Sequence, residues 1–534
     1  MSEEGESPSY GRRLSAAVSP REFWARAQQY ELRGLWDEAR SLYETILDRE
    51  PRHVPARLRM SRFEQISDRY LASKEHAWQA AEAVREHGST RHIGYVTARL
   101  LEFAEEPAVV SLIESVDWSD PNVISQSAVL AQQLWLAGDY RGALRFLEAM
   151  ARQVPAHPLL IFTRANVYRY LGDMQAAESD YEACLALSPD LADAHWALAT
   201  HSKARPPLAR VNRILDALSR VQPNGIEQAH LFHALFREYD AADQREEAWS
   251  ALTSGAEIMS RRSAFDSLLE ASRLEALIRM PVSLPEPAAD AEIVPIFIVG
   301  MPRTGTTLLD RILSNHSAVR SLGERNDFQA AVSEASGHFF RSPLHGDRLQ
   351  LIRELDFKRV GQLYEQRVRR LAADGRYVID KNPQNLFNLP LILQALPAAR
   401  VLCLQREPAD ACFSNLKELF QGDAYPYSYT LSDVADHCLR VRTWLRYWKS
   451  IAPHSVRIVS YEDLVRAPEQ TTTTVLDFIG LDNQTALHEI TRNSAPVSTA
   501  SSSQVRESIH ERGVGAWRRY ERQLQPLLAR LQVQ

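Results

Sequence analysis

Ile296-Phe-Ile-Val-Gly-Met-Pro-Arg-Thr-Gly-Thr-Thr-Leu-Leu-Asp310 joins three local signals in one short stretch. Ile296 to Val299 is an apolar run of strand length. Gly300 to Gly305 is a glycine-bounded loop. Thr306 and Thr307 open an amphipathic helix whose apolar positions are Leu308, Leu309, Ile312 and Leu313. Strand, tight loop and helix N-terminus, in that order, hold a phosphate with backbone N–H groups and the helix dipole. The spacing Gly300-x4-Gly305 is that of a P-loop, but Thr306 stands where the Walker lysine belongs. The loop therefore reads as a grip for a phosphate-like group, one not built to reach the γ-phosphate of ATP.

Downstream the pattern is α/β. Short apolar runs at Tyr377–Asp380, Ala399–Leu404 and Val456–Ser460 join Ile296–Val299 as candidate strands, with helical segments between them. That alternation predicts a parallel sheet covered by helices on both faces. Ligands of such sheets bind beyond the strand C-termini, and Arg303, Lys381, Arg406 and Tyr461 each closely follow a strand.

Upstream the chain is helical and repetitive. Units run from Gly34 to Pro51, from Gly138 to Pro155 and from Gly172 to Pro189. In each the glycine precedes its proline by 17 residues, and Gly138 and Gly172 are 34 apart. This pattern resembles the tetratricopeptide repeat, in which a glycine turns between two helices, a small alanine lets them pack and a proline ends the second. Such arrays serve packing, homodimer formation or capture of a polypeptide, and the repeats leave these open. Pro281–Asp290 is a proline-rich break and the expected boundary. The expected organisation is a disordered N-terminus over 1–19, tetratricopeptide-like helices over 20–280, a linker over 281–290 and an α/β domain over 291–534.

Bulk properties narrow the classes. The 534 residues are 45% hydrophobic and 24% charged, an ordinary balance for a globular chain long enough for more than one core. A net charge of −6 argues against a nucleic-acid partner. The acidic N-terminus lacks a signal-peptide core, and no apolar run is long enough to span a membrane. Cys184, Cys403, Cys412 and Cys438 show no metal-ligand spacing and read as free thiols in a reducing compartment. A cytoplasmic protein without a membrane partner is expected.

Six motifs in order then resemble one family over roughly residues 291–520. They are Pro302-Arg-Thr-Gly-Thr-Thr307, Leu322-Gly-Glu-Arg325, Asp380-Lys-Asn-Pro383, Gln405-Arg-Glu-Pro-Ala-Asp-Ala-Cys-Phe-Ser414, Ser460-Tyr-Glu-Asp-Leu464, and Ser501-Ser-Ser-Gln-Val505 followed by Trp517. Together they are similar to sulfotransferases of the protein-tyrosine sulfotransferase type, here behind tetratricopeptide-like repeats as in many bacterial proteins. The resemblance implies a P-loop-like sulfotransferase fold and 3′-phosphoadenylyl sulfate (PAPS) as donor. It also implies an acceptor hydroxyl, with a protein tyrosine among the candidates. By the same resemblance Arg303, Thr304, Gly305, Thr306 and Thr307 hold the 5′-phosphosulfate. Arg406 and Ser414 hold the 3′-phosphate, and Tyr461, Ser501, Gln504, Val505 and Arg506 complete the donor site. Glu324 is the implied general base, with Arg303, Lys381 and Ser501 beside it in the catalytic set.

The residue types suit that chemistry. Sulfuryl transfer, like phosphoryl transfer, is mostly positioning and electrostatic stabilisation. Cations neutralise the transferring group, and a phenol with a pKa near 10 needs a positioned base at neutral pH. No Mg²⁺ is required, because the donor carries no transferable β–γ pyrophosphate. Two positions depart from the family pattern: Ala516 precedes Trp517 where a basic residue is usual, and Glu418 beside Lys417 stands where another arginine is often found. Two other readings stay open. One is a P-loop kinase or NTPase with Tyr377–Asp380 as its Walker B strand. The other is a non-catalytic repeat scaffold with a nucleotide-binding domain.

Overall fold

The computed structural model describes residues 19–201, 206, 208–286, 291–372, 375–420, 422, 424–497, 499 and 502–532. These form two compact units. One gathers the chain up to Asp139 together with Gly337–Phe339; the other gathers Tyr140–Ser336 and the chain from Phe340 onward.

The first unit is built from helical pairs. The expected disordered segment lies outside the described residues except for Ser19, which caps helix Pro20–Leu32 in a reciprocal box with Glu22. That helix pairs with Trp36–Arg49, and Val54–Ile66 pairs with Tyr70–His87. Phe23, Tyr43, Ile46, Met60 and Phe63 fill the first pairs, with alanines at the close approaches. The segment Gly337–Phe339 joins this unit through Tyr70 N–H, which donates to Gly337 O at 2.8 Å. The Phe339 ring meets Tyr70 edge-on, with centroids 5.1 Å apart.

In the second unit helix Pro158–Leu171 turns into Met174–Leu187 at Gly172, whose φ of +96° is the left-handed value that favours glycine. Helices Ile226–Ala241 and Arg245–Arg262 make a further pair. Beyond the proline-rich segment come five strands: β1 (Val294–Gly300), β2 (Val319–Ser321), β3 (Tyr377–Asp380), β4 (Arg400–Gln405) and β5 (Val456–Ser460). They form one parallel sheet in the order β2-β3-β1-β4-β5. The sequence pattern anticipated four of these strands and omitted β2. Its three residues, Val-Arg-Ser, carry no apolar run, and only Val319 is buried.

Side chains alternate across a strand, so a sheet covered on both faces divides each strand between two cores. Phe297 and Val299 of β1, Val401 and Cys403 of β4 and Val378 of β3 point into one cluster. Ile296, Ile298, Leu402, Leu404 and Ile379 point into the other. Helices Thr306–Leu313 and Pro468–Ile479 close the second face with Leu309, Ile312, Val475 and Ile479. The first face is closed by Phe357–Ala372 and Leu431–Ile451, and also by the helices at 211–278 through Ile214, Phe236, Leu252 and Leu274. All four cysteines are buried and free. Among the described residues no helix is long and apolar enough to cross a membrane.

Candidate active site

β1 is buried along its whole length and ends at Gly300, where a Cβ would meet Leu404 O at 2.7 Å. The loop that follows is held by its neighbours. Thr304 Oγ1 donates to Met301 O at 2.7 Å, Asn415 Nδ2 to Pro302 O at 2.8 Å, and Arg406 Nη1 to Arg303 O at 2.9 Å. Arg303 sits at φ +67° and Gly305 at +100°. At Gly305 a Cβ would come within 2.7 Å of the Tyr461 ring, so the loop needs glycine there for space as well as for conformation. Helix Thr306–Leu313 starts from this loop, and the amides of a first turn have no partner within their own helix. The result is a cradle of backbone N–H groups beside a guanidinium, suited to an anion.

The next group stands at the ends of β2 and β3. Leu322 N–H donates to Ile379 O at 2.9 Å and Lys381 N–H to Gly323 O at 3.0 Å, so the chain leaving β2 runs beside β3. That register sets Glu324 against Lys381, whose ammonium donates to Glu324 Oε1. Lys381 is 2% exposed, whereas Glu324 is 40% exposed. The carboxylate is therefore oriented by a buried cation and open to a reactant. Asp310, from the helix after the phosphate loop, lies close enough for its charge to feel both: burial raises its pKa, Lys381 opposes the rise and Glu324 adds to it. Asp310, on the helix that the Gly300–Gly305 loop opens, thus lies near the Lys381–Glu324 pair. The neighbouring Asp380 has a different surrounding. Burial first, then the nearby Asp327 charge, push its carboxyl up to about 8, and it bonds Tyr364 and Asn385 at 3.3 and 3.2 Å.

A third group lies at the end of β4. The Arg406 guanidinium stacks over the Tyr461 ring, 4.6 Å from its centroid, and donates to Gly513 O. One turn on, the buried Asp410 accepts from Gly515 N–H at 2.6 Å and Trp517 N–H at 3.1 Å. The first turn of helix Pro408–Leu416 and the arginine just before it therefore hold the C-terminal loop, with the half-buried Ser414 one turn further along the same helix. Arg303 Nη2 donates to Gln504 Oε1 at 3.2 Å, and Thr307 Oγ1 meets Thr499 Oγ1 at 3.4 Å. These bonds set Thr499 and Gln504 against the Gly300–Gly305 loop and its helix.

Residues 295–485 match the sulfotransferase family. That stretch of the C-terminal half is similar to sulfotransferases. An uncharacterized protein of Aquifex aeolicus is 32% identical over 250 residues, which are 45% of this chain and 32% of that protein. The protein-tyrosine sulfotransferase of Drosophila melanogaster is 23% identical over 232 residues, 42% of this chain and 46% of its own length. This chain thus spans less than half the length of either relative. Among solved structures, the sulfotransferase domain of the Synechococcus PCC 7002 olefin synthase aligns at 20% identity over 45% of this chain and 91% of its own, with a TM-score of 0.31.

In the α/β part, Arg303, Thr304, Gly305, Thr306, Thr307, Arg406, Tyr461 and Gln504 form one connected group and Lys381 and Glu324 form a pair, as described. Val505 is buried. Arg506 donates to the carbonyls of Tyr170, Ala495 and Asn493 at 2.9–3.4 Å, and a Cβ on Gly172 would meet its guanidinium at 2.9 Å. Ser501 lies outside the described residues. Sequence reading missed Asp310, Asp410 and Arg237. An aspartate in a helix's first turn reads as a dipole partner, which conceals the hold of Asp410 on a loop 105 residues away. Arg237 lies on helix Ile226–Ala241, outside the matched stretch, and carries no local signal. Its Nη2 donates to Lys417 O at 3.1 Å and reaches Glu418 Oε2 at 3.4 Å. Burial pulls the Arg303 guanidinium below its ordinary range; Arg237 and Arg406 add to this and Glu418 opposes it. Among the described residues no cluster of His, Cys, Asp and Glu is placed to hold a metal ion.

Proposed function

We propose that the chain transfers a sulfuryl group from PAPS to an acceptor hydroxyl, with Glu324 as general base. The observation that carries this reading is the pairing of a half-exposed carboxylate with a buried lysine, next to a phosphate loop that lacks the Walker lysine. The donor supplies an activated sulfuryl group on a phosphate leaving group. The donor fits the residues present: Gly300 and Gly305 leave space that a Cβ would fill, and the helix N-terminus and Arg303 offer donors to one anionic group. Arg406 and Ser414 stand nearby for a second phosphate, and Arg406 has a planar fork suited to it. Lys381 holds Glu324 in place and adds positive charge beside the loop. Glu324 then removes the acceptor proton, a step typically worth about 10²–10⁴-fold in rate.

The name of the Drosophila relative makes a tyrosine phenol the first acceptor to test. The helical pairs, turned at glycines such as Gly172, support reading the N-terminal half as tetratricopeptide-like. In this proposal those helices present a polypeptide acceptor. The test combines binding and turnover. The protein is expected to bind adenosine 3′,5′-bisphosphate without added metal, and to move label from PAPS to a phenol or tyrosine peptide. Glu324→Gln keeps the shape but cannot take a proton; donor affinity is expected to stay within about three-fold while turnover falls about 10²–10⁴-fold. Unchanged turnover in this variant would remove Glu324 from the role. Mg²⁺-dependent ATP hydrolysis in place of sulfuryl transfer would assign the site to a different chemistry.

A further inference from the structure

Glu418 is buried, at 2% exposure, between two guanidinium groups from distant parts of the chain. Its Oε2 lies 3.4 Å from Arg237 Nη2 and 3.8 Å from Arg303 Nε. Arg303 belongs to the phosphate loop. Arg237 comes from helix Ile226–Ala241, before the matched stretch begins. A buried carboxylate requires a cation beside it. Without Arg237, the Glu418 carboxylate would act on Arg303 alone. With Arg237 present, the trio carries one net positive charge.

We propose that Arg237 is a positioning residue of the donor site: by sharing the Glu418 carboxylate it offsets part of that carboxylate's pull on Arg303, the cation of the loop. The inference rests on the PAPS reading of the site, since it concerns how that donor is held. Arg237 is itself fixed in place, by its bond to Lys417 O at 3.1 Å and by its lie over the Phe236 ring, 5.7 Å from the centroid. The surroundings show the same crowding of cations. Lys417 is driven down to about 7, by burial first and then by Arg237, with Arg406 and Arg303 adding and Asp240 opposing. The departure at Glu418 and the arginine on the helical pair are thus one arrangement. An acid in the donor site is offset by a base from outside the family domain.

The test is a double-mutant cycle in the full-length protein, read by calorimetric affinity for adenosine 3′,5′-bisphosphate with thermal unfolding alongside. Arg237→Ala is expected to weaken binding about 5–50-fold, because Glu418 then draws on Arg303 alone. Glu418→Gln removes the competing carboxylate and is expected to tighten binding about 2–10-fold. The double variant is expected to return to within about three-fold of wild type, since the two changes act on one charge balance. Wild-type affinity in Arg237→Ala, weaker binding by Glu418→Gln, or a double variant that binds as weakly as Arg237→Ala overturns the inference and leaves the donor reading standing. If Arg237→Ala does not fold, the near-isosteric Glu418→Gln decides alone. A wild-type protein that does not bind the bisphosphate overturns the donor reading and this inference with it.

Discussion

Asp380 and Lys381 are adjacent at the end of β3 but differ in what they face. Lys381 reaches Glu324, while Asp380 is enclosed with Tyr364, Asn385 and Asp327. Burial and the Asp327 charge push the Asp380 carboxyl up to about 8, so it is largely protonated at neutral pH. In the unfolded chain it titrates near 4. Between those values the folded state binds the extra proton, so its contribution to stability is present at low pH and is lost as pH rises toward 8. Asp380→Asn keeps the polar contacts and removes the titration. Its unfolding free energy is expected to depend less on pH than that of wild type from about 5 to 8, with the variant gaining relative to wild type as pH rises. Parallel denaturation curves at pH 5, 6, 7 and 8 would show that Asp380 is ionised in the fold. Sequence made Lys381, Arg303, Arg406 and Glu324 legible because each lies within a few residues of an element end. It could not show Asp310, Asp410 or Arg237, whose importance comes only from contacts with remote parts of the chain.

Elements were legible where hydrophobicity alone specified them. β1, β3 and β4 are short, mostly buried apolar runs, and β5 is an edge run with Val456 and Val459 buried; such runs announce themselves. β2 exists through its pairing with β3, and without that partner Val-Arg-Ser is an unremarkable turn sequence. The missed strand matters, because its continuation sets Glu324 beside Lys381. The C-terminal loop was legible as a motif but not as a structure. What holds it is Asp410, which takes two backbone amides at once. Asp410→Asn leaves one acceptor oxygen for two donors and removes the charge. The expected loss is about 1–3 kcal/mol of stability for the unpaired amide, read by thermal unfolding. Bisphosphate affinity is expected to fall as well, because Gly513 in the same loop accepts from Arg406 and lies against Tyr461. If stability falls while affinity is unchanged, the loop is a structural tail and not a wall of the donor site.

At the scale of the whole molecule, a break in composition shows where one pattern ends, not which surfaces pack together. Pro281–Asp290 separates helical from α/β sequence, and every donor motif lies after it, so sequence alone predicts that the α/β part holds the donor unaided. The packing argues differently. Ile214, Phe236, Leu252 and Leu274 share one core with Phe297, Val299, Leu389 and Trp444. His201 Nδ1 meets Ser503 Oγ at 3.3 Å, and Tyr170 O accepts from both Val497 N–H and Arg506. A fragment starting at residue 291 therefore loses Arg237 and uncovers apolar surface that the helices had buried, at about 25 cal/mol for each Å². It is expected to bind a hydrophobic dye, to unfold at lower temperature or aggregate, and to lose affinity for adenosine 3′,5′-bisphosphate. A fragment starting at Tyr140 keeps the shared core and Arg237 and is expected to hold that affinity within about five-fold, since each of the contacts named lies within the second compact unit. A soluble, cooperatively folding fragment from 291 with wild-type affinity would show that the helices only adjoin the α/β part, and the role assigned to Arg237 would fall with that result.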